Sequence, residues 1–471
     1  MADENVREWA PVCVASTTRY NQTGPLPSNT SRESLGASSL AQGQSEAGLD
    51  DKTRGRNSDL GYFKNAEWTP DGTTLLTDSA DHSIRTWILP PDLLEDKPVH
   101  QLSPYSTLPS AEPTYATAIY PFYNLQDPST TLFLSSVRDH PIRLSSALAP
   151  ASVASYSLVN PMTEAFITPH SMIYPSTLGG THFLTGSDSL ICLFDVSRTG
   201  AQGPVSSMPT IPSKRKQIVG GGIGMKGIVS ALALNPSGDG ILAAGTFTRH
   251  IGLYSSNGSG ELLGTFSVAK TPANADIGGR GVTQLAWSPC GRYLYIAERK
   301  SDGILVYDVR VTGQMLGYLR GRKALTNQRM KIDVVSSGPD GSHEVWAGGT
   351  DGFMRVWKSP EHCIGGKDPD WEFKVHDGQF SLSSRPSLFL TFNVMWMAVL
   401  TCIQDAVTSS IFHPMGSVVA TCSGQRHFDL DQDSDEDISG KDGRQIDNSL
   451  KVWSMPFLTE RDGNLDPQPA I

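Results

Sequence analysis

The sequence predicts an all-β fold, a seven-bladed propeller whose ring is closed by a strand from the N-terminus. Three observations carry this prediction. One short pattern, a turn that usually contains Asp followed by alternating apolar residues, returns seven times. Two further strand signals precede most copies in a fixed order, one ending in Pro and a turn, the next ending in small residues. An aromatic residue stands near the end of the repeated strand in most copies. Four strands per unit and seven units make a ring of blades, because a single four-stranded blade has two apolar faces that only its neighbours can cover.

The copies run along the chain as Asp81-His-Ser-Ile84-Arg-Thr-Trp87, Asp139-His-Pro-Ile142-Arg-Leu144, Asp188-Ser-Leu-Ile191-Cys-Leu-Phe194 and Arg249-His-Ile251-Gly-Leu-Tyr254. They continue as Asp302-Gly-Ile304-Leu-Val-Tyr307, Asp351-Gly-Phe-Met354-Arg-Val-Trp357 and Asp447-Asn-Ser-Leu450-Lys-Val-Trp453. Their spacing is 58, 49, 60, 53, 50 and 96 residues, and all but the last interval suit one WD-type blade. Upstream, Ala66-Glu-Trp68-Thr-Pro70-Asp-Gly72 and Leu285-Ala-Trp287-Ser-Pro289-Cys-Gly291 read as hairpin turns between alternating strands.

The chain divides accordingly. Residues 1–16 contain Trp9-Ala-Pro-Val12-Cys-Val-Ala-Ser16, the expected closing strand, since the stretch after Trp453 has little strand signal. Residues 17–58 are rich in Ser, Gly, Asn and Gln and read as a flexible linker. The propeller is expected over residues 59–457 and a flexible tail over 458–471. Two insertions fill the long interval. Residues 378–404 hold a 16-residue apolar run, Leu388 to Ile403, which is shorter than the roughly 20 residues of a membrane span. It breaks the repeat where a short connection belongs, and we read it as a translated intron or gene-model error. Residues 429–446 form an acidic loop with six acids in nine positions from Asp429 to Asp437. There Ser434, followed by three acids, is a candidate phosphorylation site for an acid-directed kinase.

Composition limits the function. A net charge of −10 excludes a uniformly basic nucleic-acid glove. The six cysteines, Cys13, Cys192, Cys290, Cys363, Cys402 and Cys422, form no Cys-x-x-Cys pair and are expected as buried, reduced thiols, with no metal or other cofactor. The acidic start lacks the basic and apolar regions of a secretory signal, so an intracellular protein is expected. Gly222-x-Gly224-x-x-Gly227 precedes a strand rather than opening a helix, which argues against dinucleotide binding and for an interblade turn. No Gly-x-Ser-x-Gly, His-Glu-x-x-His or P-loop pattern occurs, and a non-enzymatic protein is expected.

Basic residues cluster locally: Lys214-Arg-Lys216 with Lys226, Arg292 with Arg299-Lys300, Arg320 with Arg322-Lys323 and Arg329, and Arg426-His427. Propeller loops crowd onto two rims, so distant clusters can meet as a patch that holds RNA phosphates while aromatic and guanidinium planes stack unpaired bases.

Two segments narrow the reading further: Ala324-Leu-Thr326-Asn-Gln-Arg329-Met at the opening of the sixth blade, and Cys422-Ser-Gly424-Gln-Arg426-His in the seventh. With Asn65-Ala-Glu-Trp-Thr-Pro-Asp-Gly72 and Ser136-Val-Arg138-Asp-His-Pro-Ile142, the chain resembles the telomerase Cajal body protein family of WD-repeat proteins from about residue 60 to residue 453. The resemblance implies a scaffold that binds the CAB box of H/ACA-type small Cajal body RNAs and telomerase RNA. It implies partnership with other RNP proteins, folding by the cytosolic chaperonin, and residence in the nucleus, in Cajal bodies or their equivalent, with a cytoplasmic pool. A monomer with no membrane association is expected. Arg329 and Arg426 carry over as leading RNA contacts, Gln328 and Gln425 as amides for base edges, and Arg138 as a further contact. Each of these side chains could instead brace its blade by bonding backbone carbonyls. The chain departs from the family in its short Ser/Gly-rich N-terminal extension, in ending the second blade's repeat without an aromatic, and in residues 378–404. The competing class is a protein-interaction adaptor without RNA contact, in a spliceosomal, chromatin or ubiquitin-ligase assembly. An RNA site predicts a positive rim around the arginines, and an adaptor a neutral or acidic one.

Overall fold

Alternating side chains between Gly- and Pro-containing turns fold into seven sheets, each with four antiparallel strands at its core; in the seventh the fourth of these comes from the N-terminus. This computed structural model describes residues 11–17, 62–95, 97–211, 224–311, 313–338, 341–376, 406–424 and 447–455. Nearly all of the linker, both insertions, the tail, Gln425, Arg426 and Ser434 therefore lie outside the described residues.

The first strands of the blades are Phe63–Trp68, Thr114–Ile119, Ser171–Ile173, Val229–Leu234, Val282–Trp287, Ile332–Ser336 and Val407–Phe412. They surround the central channel. The second strands are sandwiched between neighbours, and Thr74–Ser79, His343–Gly348 and Val418–Ser423 are buried along their whole length. Such strands bury both faces, so they read as runs of small and apolar residues rather than as alternations. Seven apolar clusters occupy the seven interfaces between blades, from Leu76 and Ile84 against Phe133 in the first to Phe63 and Trp87 against Ile411 and Val452 at the closure. The second blade has Ser145 where the first, sixth and seventh carry Trp87, Trp357 and Trp453. Its buried Phe133 pairs with Ser145 across the sheet and takes over the apolar bulk.

The chain's two ends meet in the seventh blade, as the fold class requires. Val12–Ser16 pairs antiparallel with Leu450–Ser454 and serves as that blade's outer strand. Thr17 N donates to the Leu450 carbonyl and Thr17 Oγ1 accepts from Leu450 N, each at 3.0 Å. Two short parallel strands add latches that repeat counting does not reveal. His100–Gln101, from the first blade, lies against Val12–Ser16, and Gly365–Lys367, from the sixth, lies against Met315–Arg320 of the fifth.

Turn chemistry follows the sequence. Gly72 closes the Thr-Pro-Asp-Gly turn at φ +69°, and its carbonyl lies 2.9 Å from His413 Nε2 of the seventh blade, with no room for a Cβ between them. The cysteines differ from expectation: Cys192, Cys363 and Cys422 are buried, but Cys13 is half-buried and Cys290 is exposed on its turn. No helix among the described residues is long and apolar enough to cross a membrane.

Candidate nucleic-acid interface

Because strands alternate in direction, the connections between blades and the turns between second and third strands share one rim. Gln328 and Arg329, four and three residues before a first strand, therefore lie on the same rim as Arg138, the residue that follows a second strand. Gly424 is the last described residue before Gln425 and Arg426.

The Thr326-Asn-Gln-Arg329 segment is held by its own threonine. Gln328 N donates to Thr326 Oγ1 at 3.2 Å, and Lys300 N donates to the Thr326 carbonyl at 2.7 Å, tying the turn to the fifth blade. Met330 is buried behind it and fixes its depth. Gln328 Nε2 donates to the Gly424 carbonyl at 3.1 Å, toward the seventh blade. Arg329 reaches across the channel, and its Nη2 donates to the His170 carbonyl of the third blade at 3.0 Å. Both side chains thus bond backbone carbonyls, the bracing role open to them from sequence, and both also line a cavity of about 590 Å³ at the channel mouth.

That cavity gathers residues that the repeat pattern did not single out. Phe247, from the fourth blade, lies beneath two cations: the Arg299 guanidinium carbon is 4.4 Å from the ring centroid and that of Arg329 is 5.7 Å away. Tyr115 and His170 stack beside them at 4.7 Å with planes 20° apart. Among the described residues no carboxylate pairs with Arg299 or Arg329; the only hydrogen bond from the Arg299 side chain goes to the Arg280 carbonyl at 3.1 Å. Burial, and next the charge of Arg299, push the Arg329 guanidinium down to about 10, so it stays protonated at neutral pH. Burial and the charge of Arg329 lower His170 below the usual histidine range, which favours a neutral ring. On the first blade Lys64 Nζ pairs with Asp78 at 2.9 Å, and Lys331 Nζ pairs with Glu67 at 2.6 Å.

Several sequence clusters separate in space. Arg292 sits at the start of Tyr293–Glu298 and Arg299 just beyond its end, so a strand of roughly 20 Å sends them to opposite rims. Arg322 is buried and donates to the Met330 carbonyl at 2.7 Å, Arg320 pairs with Asp368 at 2.7 Å, and Lys323 pairs with Asp351 at 3.2 Å. Arg138 is half exposed beside Asp139 at 3.4 Å and does not line the cavity. Arg426 and Gln425 lie outside the described residues. Phe247 and Arg299 could have been found from the repeat itself, because each is the residue immediately after a second strand, as Arg138 is. No group of three or more His, Cys, Asp or Glu among the described residues is arranged to hold a metal ion.

No protein-family model matches the chain. It is 32% identical over 306 residues to Guanine nucleotide-binding protein negative regulator 1 of Schizosaccharomyces pombe, covering 64% of this chain and 72% of that protein. It is 27% identical over 372 residues to Telomerase Cajal body protein 1 of Mesocricetus auratus, covering 78% of this chain and 59% of the relative. With Telomerase Cajal body protein 1 of Homo sapiens it shares 26% identity over 410 residues, 86% of this chain and 62% of the relative. The chain thus spans about three-fifths of the length of these mammalian relatives.

Proposed function

The chain belongs to the telomerase Cajal body protein family of WD-repeat propellers, and from that premise we propose that it is a non-enzymatic nuclear scaffold that binds H/ACA-type small Cajal body RNAs, and telomerase RNA where that RNA carries the same loop. The observation that carries this reading is the pair of guanidiniums, Arg299 and Arg329, gathered over Phe247 at the channel mouth with no carboxylate among the described residues to neutralise them. Like charges brought together at a partly buried site favour an anion between them. Phosphate is the anion that also comes with planar groups to stack on Tyr115, His170 and the arginines. The overall charge of −10 does not oppose this, since counterions are displaced locally where phosphates meet cations. Other RNP proteins are the expected co-partners, with the cytosolic chaperonin assisting folding of the monomer. Arg138 on the same rim, together with Gln425 and Arg426, is proposed as a further RNA contact, and Ser434 in the acidic stretch is the proposed phosphorylation site.

The opposite rim favours a second, compatible role as a protein platform. There Trp68, Ile119, Pro121, Phe412 and Pro414 line an apolar depression. Met415 beside it is 83% exposed.

Crosslinking and immunoprecipitation from cells, followed by sequencing of the bound RNA, tests the proposal. Enrichment of H/ACA-type RNAs that is lost in Arg299→Ala is the expected result; among the described residues that side chain makes one hydrogen bond, to the Arg280 carbonyl, besides its contact with Phe247. A folded native chain that recovers no RNA above background overturns the RNA reading and leaves the adaptor.

A further inference from the structure

The wall of the channel mouth facing the arginines carries hydrogen-bonding capacity that no described residue uses. Lys64 Nζ lies 2.9 Å from Asp78 Oδ2 and donates to the Thr114 carbonyl at 3.0 Å, which gathers the first and second blades into one polar patch. Asn65 sits directly opposite Asp78 in the sheet. Within this patch Asn65 Oδ1, Asp78 Oδ1 and Thr114 Oγ1 are all buried without a hydrogen-bond partner, and all three residues line the cavity. Asp78 is 9% exposed and Thr114 4%. A buried acceptor left without a donor is costly, and a carboxylate oxygen is the strongest acceptor a side chain offers.

We propose that the channel mouth takes one unstacked adenine or cytosine, with its 6-amino or 4-amino group toward Asn65, Asp78 and Thr114 and its flanking phosphate on Arg299 and Arg329. This deepens the RNA reading above and rests on it. A cavity of about 590 Å³ admits one nucleotide and excludes a duplex. Tyr115, His170 and the guanidiniums supply planes for the base. The polar wall supplies the discrimination, because uracil and guanine present a carbonyl oxygen where cytosine and adenine present an amine. That oxygen would face the Asp78 carboxylate.

The test is fluorescence anisotropy of the full chain with labelled hexanucleotides of adenine, cytosine and uracil. The adenine or cytosine oligomer is expected to bind about tenfold more tightly than the uracil oligomer. Thr114→Val, which keeps the side chain's shape, and Asn65→Leu are each expected to reduce that preference without weakening the uracil oligomer. Arg299→Ala is expected to weaken all three together. Thermal unfolding like that of the native chain identifies the variants that are folded, and Thr114→Val serves if Asn65→Leu is not. Equal affinity of the native chain for the three oligomers, or an undiminished preference in the folded polar-wall variants, overturns the base pocket and leaves RNA binding intact. Failure of the folded native chain to bind any oligomer overturns both.

Discussion

The His376 imidazole stands with Nδ1 3.2 Å from Asp447 Oδ2, joining two residues 71 positions apart across both insertions. Its Nε2 lies 2.9 Å from Thr421 Oγ1, which accepts a 2.8 Å bond from Trp453 Nε1. One buried chain of polar groups therefore ties the entry to the seventh blade, its second strand, its third strand and the turn between them. Among the described residues the first blade keeps the Trp87 Nε1 to Thr77 Oγ1 bond at 2.8 Å alone, and in the sixth Trp357 Nε1 is buried without a partner. His376→Ala should cost about 2–3 kcal/mol, because it leaves buried partners unsatisfied. Urea unfolding of native and variant chains measures the difference, and a loss below about 0.5 kcal/mol would show that the network contributes little.

Acid should weaken this same blade. Burial alone would raise the Asp447 carboxyl, but the hydrogen bond and charge of His376, together with Lys451 and Ser449, hold it well below the usual carboxylate range. The unfolded chain then binds a proton more readily than the native one, so this contribution is complete above about pH 4 and is lost as pH falls further. Asp78 has the opposite sign. Burial, partly opposed by Lys64, pushes its carboxyl up to about 6, so stability falls as pH rises from about 4 to about 6. Midpoints of urea unfolding between pH 3 and pH 7 should show Asp447→Asn flattening the acid limb and Asp78→Asn removing the opposing slope.

The fold was legible because seven copies of one pattern set strand order, blade number and register together, and even the second blade's missing aromatic at Ser145 is a local exchange with Phe133. The latches were not. Gly365–Lys367 is three residues long, and its meaning lies in a strand about fifty positions earlier. The site was half legible. Thr326-Asn-Gln-Arg329 marked a place on the rim, but nothing local says that Arg329 crosses the channel to His170. Grouping cations by sequence joined Arg292 to Arg299, which one strand sends to opposite rims. The cavity takes Tyr115, His170, Phe247 and Arg329 from four different blades, with Arg299 of a fifth over Phe247, so only the closed ring brings them together.

The fifth-blade latch depends on a missing side chain. Gly317 lies against the incoming strand, and a Cβ there would stand 2.7 Å from both the carbonyl oxygen and Sγ of Cys363. Gly317→Ala should therefore push Gly365–Lys367 away and cost about 1–3 kcal/mol, as overpacking does elsewhere. Hydrogen exchange should quicken at residues 365–367 before the rest of the sixth blade responds. Protection that is unchanged there would mean the neighbouring loop absorbs the methyl group without releasing the strand.

Closure of the ring should be the most sensitive point of all. Ala15 is fully buried in the cluster that contains Phe63 and Trp87 of the first blade and Val452 of the seventh. It also pairs with Val452 in the sheet on one side and with His100 on the other. Ala15→Asp places an unpaired charge among these residues, at a cost of about 3 kcal/mol or more. Val12 is 56% exposed on the same strand, so Val12→Asp should cost under about 1 kcal/mol and controls for the charge alone. If closure governs stability, Ala15→Asp lowers the melting temperature and exposes amides of Leu450–Ser454 and Phe63–Trp68 together. Exposure confined to Val12–Ser16 would instead show that the seven blades hold the ring without their N-terminal strand.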